Sequence, residues 1–303
     1  MSDQTPHTTD PQAIQDNPDT EGEKLPPPGS EGSVTSQMDD EPDHGEESYV
    51  GTGKLKDRVA IVTGGDSGIG RAVSLAFARE GADVVIAYLE GEEEDAQGTV
   101  ALIEDAGRKA VRVPGDLTSE DACQTLIDTT VAEFGRIDVL VNNAAYQMTQ
   151  PGGIQDFTTE QFDRVVKTNL YAMFWLCKKA LPHMPRGGSI INTSSVQAAS
   201  PSPELLDYAM TKAGIVNFTR GLSQIVAGDG IRVNTVAPGP IWTPLIPATM
   251  HGEKVDTFGA STPLGRAGQP IEVAQAFVFL ASADASYITG EVVAVTGGMP
   301  VSI

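Results

Sequence analysis

Seven short runs of β-branched and aliphatic residues alternate along this chain with longer amphipathic stretches, and this alternation restricts the fold more than any other feature. The runs fall at 59–62, 84–87, 111–113, 139–141, 189–192, 231–234 and 292–295. Between them the 3.6-residue period predicts helices, among them 70–79, 120–134, 160–180, 205–226 and 271–280. Continuously apolar strands are buried on both faces, and strands joined through helices pair in parallel. Right-handed crossovers then lay helices on both faces of one sheet. The predicted class is therefore α/β, with a doubly wound parallel sheet.

The first fifty residues have a different texture. They are rich in Pro, Asp, Glu, Ser, Thr and Gly, and hold thirteen acids against one base, Lys24. They contribute −12 of the formal net charge of −21, which leaves −9 for the rest. So few aliphatic side chains cannot bury enough apolar surface to offset chain entropy. The expectation is a largely disordered acidic tail over 1–50 and a single domain over 51–303. Within the tail, the first twenty or so residues are expected to be disordered. Leu25-Pro26-Pro27-Pro28-Gly29, Met38 and Tyr49-Val50 are expected to dock in extended form on a neighbouring subunit.

Charge also excludes function classes. A field of this sign repels phosphate backbones and anionic lipid heads, so neither nucleic acid nor a membrane surface is an expected partner. The N-terminus shows no basic-then-apolar secretory signal, and no apolar run approaches the ~18 residues that span a bilayer. The expected location is cytoplasmic. Cys123 and Cys177, the two cysteines, both fall in predicted helices and read as free buried thiols of a reducing compartment.

The first strand runs into Thr63-Gly64-Gly65-Asp66-Ser67-Gly68-Ile69-Gly70, and a helix follows at once. Glycines there permit a tight turn and close backbone approach, while the helix N-terminus aims free N–H groups and a positive dipole at an anion. At the first strand-to-helix junction of such a sheet this reads as a dinucleotide pyrophosphate site. A second pattern is Tyr208-Ala-Met-Thr-Lys212, with Ser195 thirteen residues before the tyrosine. Residues four apart on a helix share a face, so a phenol stands beside an ammonium. The cation is expected to pull the tyrosine pKa down from about 10. Such a phenol exchanges protons with a carbonyl or alcohol, and the two patterns together point to hydride transfer. A serine-hydrolase reading fails, because no Gly-x-Ser-x-Gly elbow surrounds Ser194 or Ser195 and the four histidines match no triad order.

Together with Asn142-Asn143-Ala144-Ala145, Asn169 and Pro238-Gly239-x-x-x-Thr243, these motifs resemble the short-chain dehydrogenase/reductase family across residues 55–303. The wording around Gly64–Ala72, Ala237–Pro247, Gly265–Pro270 and Ser286–Gly290 is similar to the bacterial general-stress-type oxidoreductases, which also carry a polar N-terminal extension. One departure is Ala145, where that family usually has Gly, and a methyl is small enough for the loop to survive. The resemblance implies a Rossmann fold and catalytic Asn169, Ser195, Tyr208 and Lys212. In that scheme Tyr208 is the general acid or base, Lys212 binds the nicotinamide ribose, Ser195 polarises the carbonyl and Asn169 holds a proton-relaying water. It implies cofactor contacts at Gly64, Asp66, Ser67, Gly68, Ile69, Gly70, Tyr88, Leu89, Asp116, Leu117, Asn142, Ala144, Tyr208, Lys212, Pro238, Gly239, Ile241 and Thr243. Asp116 is expected at the adenine and Thr243 at the nicotinamide carboxamide. No metal enters this scheme, and a homotetramer is implied.

Cofactor choice is read from charge. No Arg or Lys stands at Asp66, Ser67, Tyr88 or Leu89 to hold a 2′-phosphate, and Glu90, Glu92, Glu93, Glu94 and Asp95 crowd the loop that follows. NAD is therefore expected ahead of NADP. Gln147, Val196, Gln197, Trp242, Leu245, Ile246, Met250 and Phe258 are expected at the substrate mouth, with Lys254 the nearby cation. That lining suits a small aldehyde, ketone or alcohol. A non-catalytic redox sensor that only holds the dinucleotide is the alternative, and it should lack the Tyr or Lys. An isomerase or dehydratase using transient oxidation is a third reading, disfavoured by the absence of a longer substrate domain.

Overall fold

The computed structural model describes residues 35–38, 41–250, 255 and 257–301. Expectations for the first twenty residues, for Leu25-Pro26-Pro27-Pro28-Gly29 and for Lys254 lie outside them. Seven parallel strands form one sheet: β1 (Val59–Thr63), β2 (Asp83–Tyr88), β3 (Ala110–Pro114), β4 (Val139–Asn142), β5 (Ser189–Thr193), β6 (Arg232–Pro238) and β7 (Val292–Val295). Their order across the sheet is β3-β2-β1-β4-β5-β6-β7. The chain thus steps outward from β1 in one direction and then returns to continue from β4 in the other. The reversal opens a crevice at the carboxyl ends of β1 and β4, where ligands bind in sheets of this kind.

Strand alternation divides the core. On β1, Ala60 and Val62 join one apolar cluster while Ile61 joins another; on β2, Val84 and Ile86 separate from Val85 and Ala87 in the same way. The first cluster is covered by α1 (Gly68–Arg79) and α7 (Pro270–Ala281), through residues such as Val73, Phe77 and Phe277. The second is covered by α3 (Glu120–Phe134), α5 (Ala172–Ala180) and α6 (Leu206–Val226), through Leu126, Leu176 and Ile215. A sheet covered on both sides is mostly apolar on both faces, and its buried polar exceptions are hydrogen-bonded, as Asn192 is with Asn142 and Thr219.

Two elements differ from expectation. The predicted helix over 160–180 is α4 (Thr159–Val166) and α5, joined by a π-helical segment, Lys167–Tyr171, that contains Asn169. The acidic run after Tyr88 is not a loop: Glu90–Glu92 form a short 3-10 turn and Glu93, Glu94 and Asp95 open α2 (Glu93–Asp105). Acids in a first helical turn complement the helix dipole, which explains their crowding there without a ligand.

Residues 41–50 pack on their own chain. The Arg79 guanidinium donates to the carbonyls of Gly45, Glu46 and Tyr49. The Tyr49 hydroxyl donates to the buried Glu80 carboxylate, which also accepts from the main-chain N–H groups of Thr52 and Lys54. A Cβ on Gly51 would lie 1.9 Å from the Arg79 carbonyl oxygen, so only glycine lets the strap pass this close. Met38 is buried against Trp242, Ile246 and Ala248. The docking spots at Met38 and Tyr49 therefore meet the same chain, where a neighbouring subunit was expected.

Candidate active site

The glycine turn shapes one wall of a cavity at the sheet's crevice. Gly64 and Gly68 hold φ of +60° and +49°, and a Cβ on Gly70 would meet the Gly64 carbonyl oxygen at 1.7 Å. α1 begins at Gly68 with Ser67 as its N-cap, no side chain caps it, and no acid stands in its first turn. Its N–H groups are left for an anion. Thr63 braces the opposite wall: its Oγ1 accepts from the N–H groups of Asn143 and Ala144, at 2.9 and 3.0 Å.

Gly64, Asp66, Ser67, Gly68, Ile69, Tyr88, Leu89, Asp116, Leu117, Ala144 and Thr243 line the cavity. Gly70, Asn142, Tyr208, Lys212, Pro238, Gly239 and Ile241, also expected as cofactor contacts, are not among these lining residues. Gly70 lets the turn close. Asn142 lies behind the wall, donating to the Asn192 Oδ1 at 2.8 Å and to the Cys177 sulfur at 3.4 Å. Pro238 ends β6, Gly239 lies so near Thr296 that a Cβ would be 2.8 Å from its Cα, and buried Ile241 bridges to Gly268. Glu92, Asn143, Ala145, Tyr146, Arg164, Thr168, Leu245 and Ala248 also line the cavity. Trp242, expected at the mouth, is fully buried beside Met38 and Ile246.

The four candidate catalytic residues come together from separate elements. Ser195 follows β5, Tyr208 and Lys212 lie one turn apart on α6, and Asn169 sits in the π segment. Tyr208 stands beside Ser195, near enough for the serine hydroxyl to act on its phenol, and packs with Ala145 and Tyr146, which form the cavity wall. The Lys212 Nζ donates to the Thr193 carbonyl at 2.8 Å and stands 5.2 Å from the Tyr208 ring centroid. Asn169 grips the main chain of Tyr146 on both sides: its Oδ1 accepts from the N–H at 2.8 Å, and its Nδ2 donates to the carbonyl at 3.1 Å and to the Thr211 hydroxyl at 3.0 Å. Both amide hydrogens are thereby used, so the side chain fixes the cavity loop.

Burial sets the proton affinities. It pushes the Tyr208 phenol up to about 12, with the Ser195 hydrogen bond pulling the other way. The same burial brings the Lys212 ammonium down to about 7. The expected lowering of Tyr208 by Lys212 is therefore overturned, since desolvation of the phenolate outweighs a cation that burial itself discourages. At the other end, burial and the nearby Glu92 hold the Asp66 carboxyl well above the usual carboxylate range. Tyr88 donates to Glu93, which is paired with Arg112 at 3.0 Å. Cys123 and Cys177 are free thiols pushed up to about 12 by burial, far from thiolate chemistry.

These residues fit a nicotinamide dinucleotide: an anion-ready helix start, a glycine turn that admits a close backbone approach, and a hydroxyl pair beside the same cavity. Comparisons with known proteins agree. A family model described as enoyl-(acyl carrier protein) reductase matches residues 64–300. An uncharacterized oxidoreductase of Escherichia coli, YghA, is 52% identical over 277 residues, 91% of this chain and 92% of the relative. General stress protein 39 of Bacillus subtilis is 49% identical over 265 residues, 88% and 92% of the two chains. An Arabidopsis thaliana protein named NADPH-dependent aldehyde reductase 1, chloroplastic, is 47% identical over 271 residues, 88% and 94%. A solved short-chain dehydrogenase from Burkholderia cenocepacia in complex with NADP superposes with a TM-score of 0.76 at 32% identity, over 81% of this chain and 98% of that one. The last two bear on the cofactor, and they lend no support to the expected preference for NAD.

Proposed function

The chain belongs to the short-chain dehydrogenase/reductase family, in its general-stress-type branch, as an NAD(P)-dependent oxidoreductase of carbonyl and alcohol groups, and we propose that Tyr208 is its proton donor. The observation that carries this assignment is the placing of Tyr208 against Ala145 and Tyr146 of the cavity wall, with the buried Lys212 Nζ 5.2 Å from its ring centroid and Ser195 beside its phenol. Two hydroxyls held together present themselves to one oxygen atom, which a carbonyl or an alcohol offers. The bound dinucleotide supplies or accepts the hydride at its nicotinamide ring. Ser195 orients the substrate oxygen, and Tyr208 gives it the proton that completes the alcohol. With its proton held up to about 12, Tyr208 is protonated across the neutral range and poised to donate. Lys212, near 7, restores that proton from a buried position. Asn169 is a positioning residue that fixes Tyr146 at the cavity wall. A sensor that merely holds a dinucleotide has no use for a buried lysine beside a phenol.

The glycine turn, Asp116 and Thr243 hold the cofactor along the cavity. Among its lining residues Arg164 is the cation, and it stacks 4.4 Å over the Tyr146 ring, while Glu92 lines the adenosine end and its charge there favours NAD. NADP is the second reading, favoured by the structural neighbour that holds it and by the plant relative's name. Measuring kcat/KM for both reduced coenzymes against a panel of small aldehydes and ketones tests the proposal; a clear NADP preference rejects the charge argument. The substrate proposed is a small aldehyde or ketone, consistent with the apolar wall of Ala145, Leu245 and Ala248. Among the described residues no helix is long and apolar enough to cross a membrane. Two free thiols suit the reducing cytoplasm. The half-exposed Phe162, Tyr171, Phe174 and Met210 on α4, the π segment, α5 and α6 form the face on which a homotetramer is proposed to assemble.

A further inference from the structure

Part of the cavity wall is a helix too short to hold itself in place. Leu245 and Ala248, in the five-residue helix Leu245–Thr249, line the cavity, and Met250 just beyond packs against the cluster of Val165, Leu205 and Tyr208. Isolated helices shorter than about 12 residues are marginal in water, so this one takes its position from what packs on it. Its first support is the loop after β4. The buried Gln147 Nε2 donates to the Thr249 Oγ1 at 2.9 Å, and the Thr149 hydroxyl donates to the Thr249 carbonyl at 2.9 Å. Its second support comes from the N-terminal segment. Met38, 5% exposed, shares one apolar cluster with Trp242, Ile246, Ala248, Val255 and Ala267. Met250 packs against this cluster as well as against that of Tyr208, so the seat of Met38 is continuous with the surroundings of the proton donor. Met38 is itself fastened from both directions along the chain. Before it, the Thr35 N–H donates to the buried Asp95 carboxylate at 3.2 Å, and the Met38 N–H donates to the Thr35 carbonyl at 3.1 Å. After it, the Asp43 N–H donates to the Gln269 side chain at 2.9 Å, and the Asp43 carbonyl accepts from the Ile271 N–H at 3.1 Å.

We propose that Met38 is a positioning residue for the carbonyl substrate, a prop from the N-terminal segment that keeps the helix Leu245–Thr249 closed against the catalytic end of the cavity. The assignment rests on the carbonyl-reduction reading above. Met38 is not among the residues that line the cavity, so it acts through Ile246 and Ala248. Ser195 follows β5, and Tyr208 and Lys212 stand on α6, away from the cluster that seats Met38. Loss of the prop therefore leaves the reacting groups in place and lowers the fraction of molecules whose wall is closed. Apparent affinity for the substrate falls by that fraction, whereas a substrate once enclosed meets the same groups.

Steady-state kinetics of the full chain with a small aldehyde, at saturating reduced coenzyme, read this for the wild type, Met38→Ala and Met38→Leu. Thermal melts confirm that each variant is folded. Met38→Ala should raise the KM for the aldehyde about tenfold and keep kcat within about threefold of wild type. Met38→Leu, similar in volume, should hold KM within about threefold of wild type. Trp242 gives a second readout, because Trp175 is the chain's other tryptophan and a Trp175→Phe background leaves the fluorescence to Trp242 alone. On that background Met38→Ala should shift the emission to the red and make it more open to quenching by acrylamide. A folded Met38→Ala with wild-type KM overturns the assignment alone, and so does one whose kcat falls at unchanged KM, the mark of a merely structural loss. A wild type that reduces no carbonyl compound with either coenzyme overturns the assignment together with the carbonyl reading beneath it.

Discussion

Lys212 is buried with no carboxylate against it among the described residues, and its proton chemistry makes the site's energetics measurable. Its ammonium is lowered from 10.5 to about 7 by burial, so folding expels a proton between those values. Stability gained this way is absent below pH 7 and grows as pH rises toward 10.5. Relative to Lys212→Met, the wild type should gain about 1 kcal/mol per pH unit between about pH 7 and about pH 9, read by denaturant titration. A pH-independent difference would mean that the lysine keeps its charge. The Tyr-x-x-x-Lys pairing was legible from helical spacing, but the sign of the tyrosine shift was not. Spacing reports proximity, whereas desolvation depends on what the rest of the chain stacks over the pair. Asn142 and Asn143 make the same point. The motif names both, yet Asn142 is the last residue of β4 and faces Asn192, so Asn143 is the one that lines the cavity. Arg164 and Thr168 were legible in principle, since four-residue spacing puts both on one helical face.

Strand positions followed from composition because a doubly covered sheet is mostly apolar on both faces, and the glycine turn located the cavity. Elements whose form is decided by tertiary contacts were not legible. The π segment around Asn169 reads in sequence as ordinary helix, and only the pairing of Asn169 with Tyr146 and Thr211 shows why an extra residue is accommodated there. The strap over 41–50 looks like tail by composition, yet its polar groups are spent on Arg79, Glu80 and Gln269. Tyr49→Phe removes a hydrogen bond to the buried Glu80 carboxylate and should cost about 1.5–3 kcal/mol at neutral pH. Because these contacts hold the Glu80 carboxyl below its usual 4.5, the stability they add is present above that value and is lost as pH falls below it. The gap between wild type and Tyr49→Phe should therefore narrow in acid. Equal denaturation midpoints at neutral pH would show that the strap adds nothing.

At the scale of the whole molecule, the doubly wound sheet was legible from the seven runs and their spacing, since parallel pairing and right-handed crossovers leave few alternatives. Assembly is less accessible to sequence, because one chain's periodicity does not say which exposed apolar residues meet a partner. Phe174, 46% exposed on α5, and Met210, 44% exposed on α6, mark the face proposed for it. Light scattering at micromolar concentration should give a tetramer for the wild type, and Phe174→Glu with Met210→Glu should give smaller species. A wild-type monomer rejects the assembly. The central claim is that Tyr208 delivers the proton during carbonyl reduction, and comparing turnover and coenzyme affinity in Tyr208→Phe tests it most directly. The variant should lose at least about a hundredfold in kcat with an aldehyde while its dissociation constant for the reduced coenzyme stays within about threefold of wild type. Near-native turnover in that variant would contradict the account.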